Sequence, residues 1–239
     1  MSNMGGDPGM PKPGGDPSAR SVNPHHGLLA LAIIVTVIVL DQALKIWVKT
    51  HFYYGEALEI TSWFKLQFIE NNGMAFGWEL GGKLFLTCFR LVAVTLFAWY
   101  LWRLRNDATA SRGYVACIAA ITAGAAGNAI DCVFYGQIFD ESSYIHVAQM
   151  FPPDGGYAPL LYGRVVDMLY FPLASWTWPQ WMPMVGGEHF VFFQPIFNIA
   201  DAALTVSVIV LILFYARELG GSDDDETKTD EQIDEVATK

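Results

Sequence analysis

Four apolar stretches, each close to the length of a bilayer crossing, constrain this chain more than any other feature. The first runs LLALAIIVTVIVL from Leu28 and, after Asp41 and Gln42, resumes as ALKIWV to Val48. A run of about 20 residues at about 1.5 Å per helical residue matches a hydrocarbon core of about 30 Å. Three more follow, at about 84–104, 114–130 and 196–215. The expectation is an all-α membrane fold with four transmembrane helices, about 28–48, 84–104, 114–130 and 196–215, and external segments at 49–83 and 131–194. A cleaved signal peptide is the rival reading of the first stretch, but the DQALK that follows Leu40 carries no small-x-small cleavage pattern.

Composition agrees: 53% of the 239 residues are hydrophobic and only 16% charged, against about 25% charged in soluble domains. Most of the net charge of −10 lies after Ser222, where eight acidic residues face Lys228 and Lys239. No basic field remains to hold nucleic acid. Residues 218–239 read as an acidic disordered tail, and 1–26, in which Gly-Gly-Asp-Pro occurs twice, as a disordered Gly/Pro-rich leader. The three cysteines, Cys88, Cys117 and Cys132, fit neither a disulfide framework nor a zinc spacing.

Orientation follows from the short loops. Arg103, Arg105 and Arg112 crowd the link between the second and third stretches, whereas 131–194 carries Arg164 alone. The positive-inside rule then puts that link and both termini in the cytoplasm. The stretch 131–194 is rich in Trp and Tyr, side chains suited to the headgroup level. Residues 55–78 alternate apolar and polar positions (Leu58, Ile60; Phe64, Leu66, Phe68) and reach a Gly-containing turn, so a short antiparallel sheet on the membrane surface is expected there.

Polar residues inside apolar spans are costly, about 2.5–3.5 kcal/mol for a central carboxylate, so they are functional candidates. Asp41 and Lys45 stand four apart on one helix face, as a structural clamp or as part of a site. Asn71, Asn72 and Gly73 form a turn that is either an ordinary hairpin loop or a contact for a peptide backbone. Asn128 and Asp131 end the third span, and Asn198 and Asp201 repeat the Asn-x-x-Asp spacing at the fourth. Either pair alone would pass for a helix cap; two at matching depth suggest amides orienting carboxylates. Asp167 lies between Val166 and Met168 in GRVVDMLYF. Carboxylates held close share a proton near neutral pH, the equipment for activating water. No His or Cys accompanies them as a nucleophile's partner, and no His-rich spacing indicates a metal.

Together, DQALK (41–45), NNGMAF (71–76), GAAGNAID (124–131), GRVVD (163–167) and FNIAD (197–201) closely resemble the lipoprotein signal peptidase, or signal peptidase II, family. The resemblance spans about residues 27–217. It implies an intramembrane aspartic peptidase of the bacterial inner membrane, with its active site at the outer face. The implied substrate is a diacylglyceryl-modified prolipoprotein, cut just before its lipidated cysteine, with no cofactor. Asp167 and Asp201 would then be the catalytic pair. Asn128, Asp131, Asn198 and Ala200 would support it, Asn71 and Gly73 would contact the substrate backbone, and Asp41 and Lys45 would stabilise the bundle. The resemblance also implies a small external β-cradle and an external helix over the membrane surface.

Two departures stand out. Most relatives carry Arg directly after the third-motif Asp, whereas Cys132 follows Asp131 here; Arg164 is the candidate replacement cation. The segments 132–163 and 171–191 are enlarged. The rival functions are a proton-coupled transporter, because intramembrane carboxylates also mark proton relays, and an inactive binding scaffold. All candidate site residues lie in one chain, so membrane lipid and substrate are the only partners required and a monomer suffices.

Overall fold

The computed structural model describes residues 24–72, 82–107 and 109–219. Gly73, the leader up to residue 23 and the tail from residue 220 lie outside the described residues.

Helix α1 (Pro24–His51) is amphipathic in the inverse sense of a soluble helix. Leu28, Leu31, Val35, Val39 and Leu40 are each at least 50% exposed, while Asp41, Lys45 and Lys49 are buried to 1% or less. Spaced four apart, the three charged residues form one stripe turned into the protein, as a helix in hydrocarbon requires. Helix α2 (Gly82–Leu104) likewise exposes Phe85, Phe89, Val92, Leu96 and Trp99.

Helix α3 (Arg112–Ile130) is the central element, starting at the Ser111 cap, whose side chain accepts from the Tyr114 amide at 3.2 Å. It packs against α1, α2 and α5 (Ile199–Phe214). Its small residues permit this. A Cβ on Gly124 would collide with the Ala200 carbonyl oxygen, and one on Gly127 would lie 2.9 Å from Asp41 Oδ2 and 3.0 Å from the Ala200 Cβ. Backbone-close contact through small residues is how helices associate where apolar side chains gain nothing by leaving lipid.

Helix α3 ends at Ile130 and runs on into a π-helical turn (Asp131–Tyr135) and a short α4 (Gly136–Ile138). The fourth span does not begin at 196, because Ile196 and Phe197 form a strand and the Asn198 capping box starts the helix at Ile199. Among the described residues, three helices are long and apolar enough to cross a membrane: His25–His51, Gly82–Leu104 and Arg112–Ile138. The fourth, α5, is shorter at 16 residues and is followed by a four-residue α6 (Ala216–Leu219).

Beside the helices stand two sheets, more β-structure than the single small sheet expected. Strands β1 (Ala57–Thr61), β2 (Phe64–Asn71), β3 (Val165–Tyr170) and β6 (Ile196–Phe197) form an antiparallel sheet in the order β1-β2-β3-β6. The 55–78 alternation pointed to β1 and β2; β3 joins them across more than 90 residues of sequence, a pairing that local pattern cannot specify. The expected external helix is absent, since no helix occurs among the described residues between Phe139 and Asn198. The enlarged 171–191 segment instead forms a hairpin of β4 (Ala174–Thr177) and β5 (His189–Phe192), rich in the aromatic and β-branched residues that favour strands.

Two apolar clusters flank the middle of the molecule. One joins Leu101, Leu104, Tyr114, Ile118 and Leu211 at the end of the helices away from the sheet; the other joins Val48, Phe52, Phe68, Tyr135, Phe139, Val166 and Met168 where helices meet sheet. The polar residues singled out above collect between them.

Candidate active site

Four elements deliver the polar residues to one place. Strand β3 carries Asp167, 3% exposed and paired in register with Ile69 of β2. The first turn of α5 carries Asp201, whose amide donates to Asn198 Oδ1 at 2.9 Å while its own Oδ2 accepts from the Asn198 amide at 3.4 Å. This reciprocal capping box fixes the Asp201 carboxylate at the mouth of its helix.

Two asparagines join the carboxylates. Asn198 Nδ2 donates to Asp167 Oδ1 at 2.7 Å, and Asn128 Nδ2 donates to Asp201 Oδ1 at 2.7 Å. The amides also meet each other, with Asn198 Nδ2 donating to Asn128 Oδ1 at 3.1 Å. An amide both donates and accepts, so a pair of them can bridge two carboxylates without adding charge. The repeated Asn-x-x-Asp spacing is thereby explained: each Asn serves a carboxylate on another element. Asn198 Nδ2 lies 3.3 Å from the Val166 carbonyl oxygen as well, pinning β3 to the start of α5.

Behind the asparagines lies Lys45. Its Nζ stands 2.8 Å from Asp41, 2.8 Å from Asp131 and 2.9 Å from Asn128 Oδ1, with the lysine and both carboxylates fully buried. Asp41 Oδ1 accepts the Ala200 amide at 2.9 Å, and Asp131 Oδ2 accepts the Val166 amide at 3.3 Å. Each carboxylate therefore grips the backbone next to one of the facing aspartates, Asp201 or Asp167. Asp41 and Lys45 belong to the same network as the site. Gln42 completes it, donating to Asp131 Oδ1 at 2.9 Å and accepting from the Tyr135 hydroxyl at 3.1 Å.

Burial and, next, the negative charge of Asp201 push the Asp167 carboxyl up to about 7, with the Asn198 hydrogen bond acting in the opposite direction. A carboxyl raised in this way beside a second carboxylate is suited to giving up a proton near neutrality, the chemistry a general acid needs.

Other predicted residues are placed differently. Asn71 ends β2 opposite Val165, two residue pairs from Asp167 and so on the same sheet face; its partner in the motif, Gly73, is not described. Arg164 does not take the place of the missing arginine. Its Nη1 pairs with Glu70 at 3.1 Å and Glu141 at 2.6 Å, while the cation on Asp131 is Lys45. The reason is the pleat: Glu70 pairs with Val166 on the sheet face opposite Asp167, and it holds Arg164 on that side.

The sequence reading passed over three features. Lys49, fully buried, pairs with Glu70 and donates to Ser142 Oγ at 2.8 Å. Lys83 and Arg90 of α2 both approach Cys132 Sγ, at 3.5 and 2.8 Å. An arginine inside an apolar span is itself the signal that could have found Arg90. Among the described residues, no three His, Cys, Asp or Glu side chains stand together as a metal-ligand set.

A multi-pass helical membrane protein with carboxylates gathered where its bundle meets a small sheet is the class these observations define. The family model for signal peptidase II matches residues 33–217. The lipoprotein signal peptidase of Porphyromonas gingivalis is 46% identical over 191 residues, covering 80% of this chain and 84% of that protein. That of Amoebophilus asiaticus is 35% identical over 194 residues, covering 79% and 75%. Two solved bacterial membrane enzyme structures, determined by the in meso method, share the fold. The one at 2.3 Å has a TM-score of 0.52 at 22% identity over 81% of this chain and 91% of that one. The one at 1.9 Å has a TM-score of 0.50 at 25% identity over 77% and 90%. The chain belongs to the signal peptidase II family and is a peptidase.

Proposed function

We propose that this chain removes the signal peptide from diacylglyceryl-modified bacterial prolipoproteins by aspartic catalysis, cutting before the lipidated cysteine, with Asp167 and Asp201 as the catalytic residues. The observation that carries the reading is the amide bridge: Asp167 and Asp201, from a strand and a helix, are linked through Asn198 and Asn128 at 2.7 Å each.

The resting pair holds one proton, on Asp167, whose burial favours the neutral form. Ionised Asp201 takes a proton from water as its oxygen bonds to the scissile carbonyl carbon, and Asp167 gives its proton to the carbonyl oxygen. The tetrahedral product collapses when Asp201 passes its proton to the leaving nitrogen and the C–N bond breaks. The diol hydroxyl returns its proton to Asp167 as the carbonyl re-forms. The cycle consumes one water and leaves the pair as it began, with no cofactor.

Asn71, at the end of β2, and Gly73 would meet the substrate backbone, while Asn128, Asp131, Asn198 and Ala200 hold the carboxylates. The diacylglyceryl chains remain in lipid, where each buried methylene contributes about 0.8 kcal/mol to substrate affinity. The site lies at the outer face of the inner membrane with both termini in the cytoplasm, a topology supported by the arginines at 103, 105 and 112. One chain holds every residue invoked, so the monomer is the working unit.

The test is cleavage of a diacylglyceryl-modified prolipoprotein by purified wild type, Asp167→Asn and Asp201→Asn, read as loss of the signal peptide on a gel. Processing by wild type and by neither folded variant supports the reading. Processing by either variant overturns the dyad.

A further inference from the structure

Helix α2 is apolar toward its surroundings, yet one of its faces carries Lys83, Thr87 and Arg90, spaced four and three apart. Thr87, with no exposed surface, donates its hydroxyl to the Leu161 carbonyl oxygen at 2.9 Å. Lys83 donates to the Asn72 carbonyl oxygen at 3.0 Å, at the end of the strand that carries Asn71. Lys83 and Arg90 then converge on a single acceptor, the Cys132 sulfur, which is also fully buried. An arginine placed in an apolar helix is costly and calls for a specific use.

Cys132 adjoins Asp131 within the π-helical turn, a distortion often found at functional sites. The turn is docked to the segment leading into β3: the Leu161 amide donates to the Val133 carbonyl at 3.1 Å and the Gly163 amide to the Cys132 carbonyl at 2.9 Å. Asp131 in turn receives the Val166 amide, one residue before Asp167. An unbroken path of contacts thus runs from Arg90 through Cys132 and Asp131 to the strand that presents Asp167.

We infer that Arg90, with Lys83, supplies from α2 a positive charge that braces the Asp131 turn through the Cys132 sulfur. Arg90 is a positioning residue: its charge and reach hold the Asp131 turn, and through it Asp167, in the catalytic arrangement. The sulfur suits the position because it accepts a hydrogen bond while adding no competing cation. The inference rests on the aspartic-peptidase reading above.

The test relocates the charge. Arg90→Ala, Arg90→Gln, Arg90→Lys, Cys132→Arg and the double variant R90A/C132R are purified in lipid nanodiscs beside wild type, and kcat and KM are measured on a diacylglyceryl-modified prolipoprotein. Loss of a positioning charge predicts that R90A and R90Q lose on the order of 100-fold in kcat with KM within about twofold. R90K should keep most of the activity, and the double variant should recover at least about tenfold over R90A. A merely structural role predicts no such recovery, since Cys132→Arg alone would only crowd the turn. If R90A does not fold, R90Q, which keeps the length and a donor, decides the matter. Wild-type kcat in folded R90Q, or a folded double variant no better than R90A, overturns the inference. Asp167→Asn and Asp201→Asn judge the parent reading separately. If those variants are inactive and the relocation fails, only this inference falls; if they remain active, the parent reading falls first.

Discussion

The stripe Asp41, Lys45, Lys49 on α1 feeds two buried polar networks that differ in charge balance. The inner one sets Lys45 among Asp41, Asp131, Asp167 and Asp201, linked through Asn128 and Asn198. The outer one sets Lys49 and Arg164 against Glu70 and Glu141, with Ser142 bridging Lys49 and Glu70. Rings of Phe68, Phe139 and Tyr157 enclose the Lys49 ammonium at 5.1–5.9 Å. Two cations on two anions neutralise each other and hold a shape. Even with Lys83 and Arg90 on the adjoining Cys132 turn, the four carboxylates outnumber the cations, an excess that the raised Asp167 carboxyl relieves by keeping its proton longer. The balanced network reads as architecture, and the unbalanced one as the place where protons move.

The sharpest way to break this contrast is to remove ionisable groups on the inner side. Asp167→Asn and Asp201→Asn should each lower kcat by at least about a thousandfold, since the acid–base function itself is lost. The Asn at 167 still accepts from Asn198, so the fold should survive, which far-UV circular dichroism and thermal unfolding in detergent would check.

Lysine substitutions separate the networks next. Lys45→Met leaves two fully buried carboxylates without their cation and should destabilise by about 3–5 kcal/mol while abolishing activity. Lys49→Met should cost a similar amount by stranding Glu70, yet the folded fraction should keep kcat within about twofold. The double variant Lys49→Met/Glu70→Leu should regain most of the stability, because a balanced buried pair is replaceable by apolar residues of similar volume. Failure of that rescue would remove the architectural reading of the outer network.

The pH dependence gives a smaller effect of defined sign. Folded Asp167 titrates at about 7, against about 3.9 for an unfolded aspartate. The folded state therefore binds more protons between those values, and stability should decline as pH rises from about 4 to about 7 and then level off. Asp167→Asn should flatten that slope and leave the protein more stable than wild type at pH 8, a trade of stability for activity located at one side chain. Thermal midpoints of both proteins across that range are the measurement. The smallest change is expected from Arg164→Ala. Its side chain is one-third exposed, so the loss should be about 1 kcal/mol or less with cleavage retained.

Much of the site was legible in the chain because lipid makes polar residues conspicuous. Asp41, Lys45, Asn128, Asp131, Asn198 and Asp201 stand out of apolar runs, and the doubled Asn-x-x-Asp spacing already suggested amides serving carboxylates. Asp167 was harder to place: its surroundings mark it as buried, yet nothing local shows that it rides a strand paired with β2. Arg90 was overlooked although it breaks an apolar run, and its partner Cys132 resembles any small buried residue. The expected surface helix was an inference from resemblance, and the aromatic, β-branched residues of 174–192 form a hairpin instead.

What the sequence by itself determined is the membrane-crossing character, set by the length and apolarity of its helices, and the identity of the residues costly enough to demand a use. Hydropathy and helical spacing are local, and they survive in one dimension. Only the tertiary structure decided which partners those residues have: that each asparagine serves a carboxylate on another element, that Lys45 counters Asp131 while Arg164 turns to Glu70 and Glu141, and that α2 lends its cations to the Cys132 turn. These are contacts between residues 23 to 94 positions apart. The close approach of α3 through Gly124 and Gly127, together with the register of β3 on β2, brings them within hydrogen-bonding range.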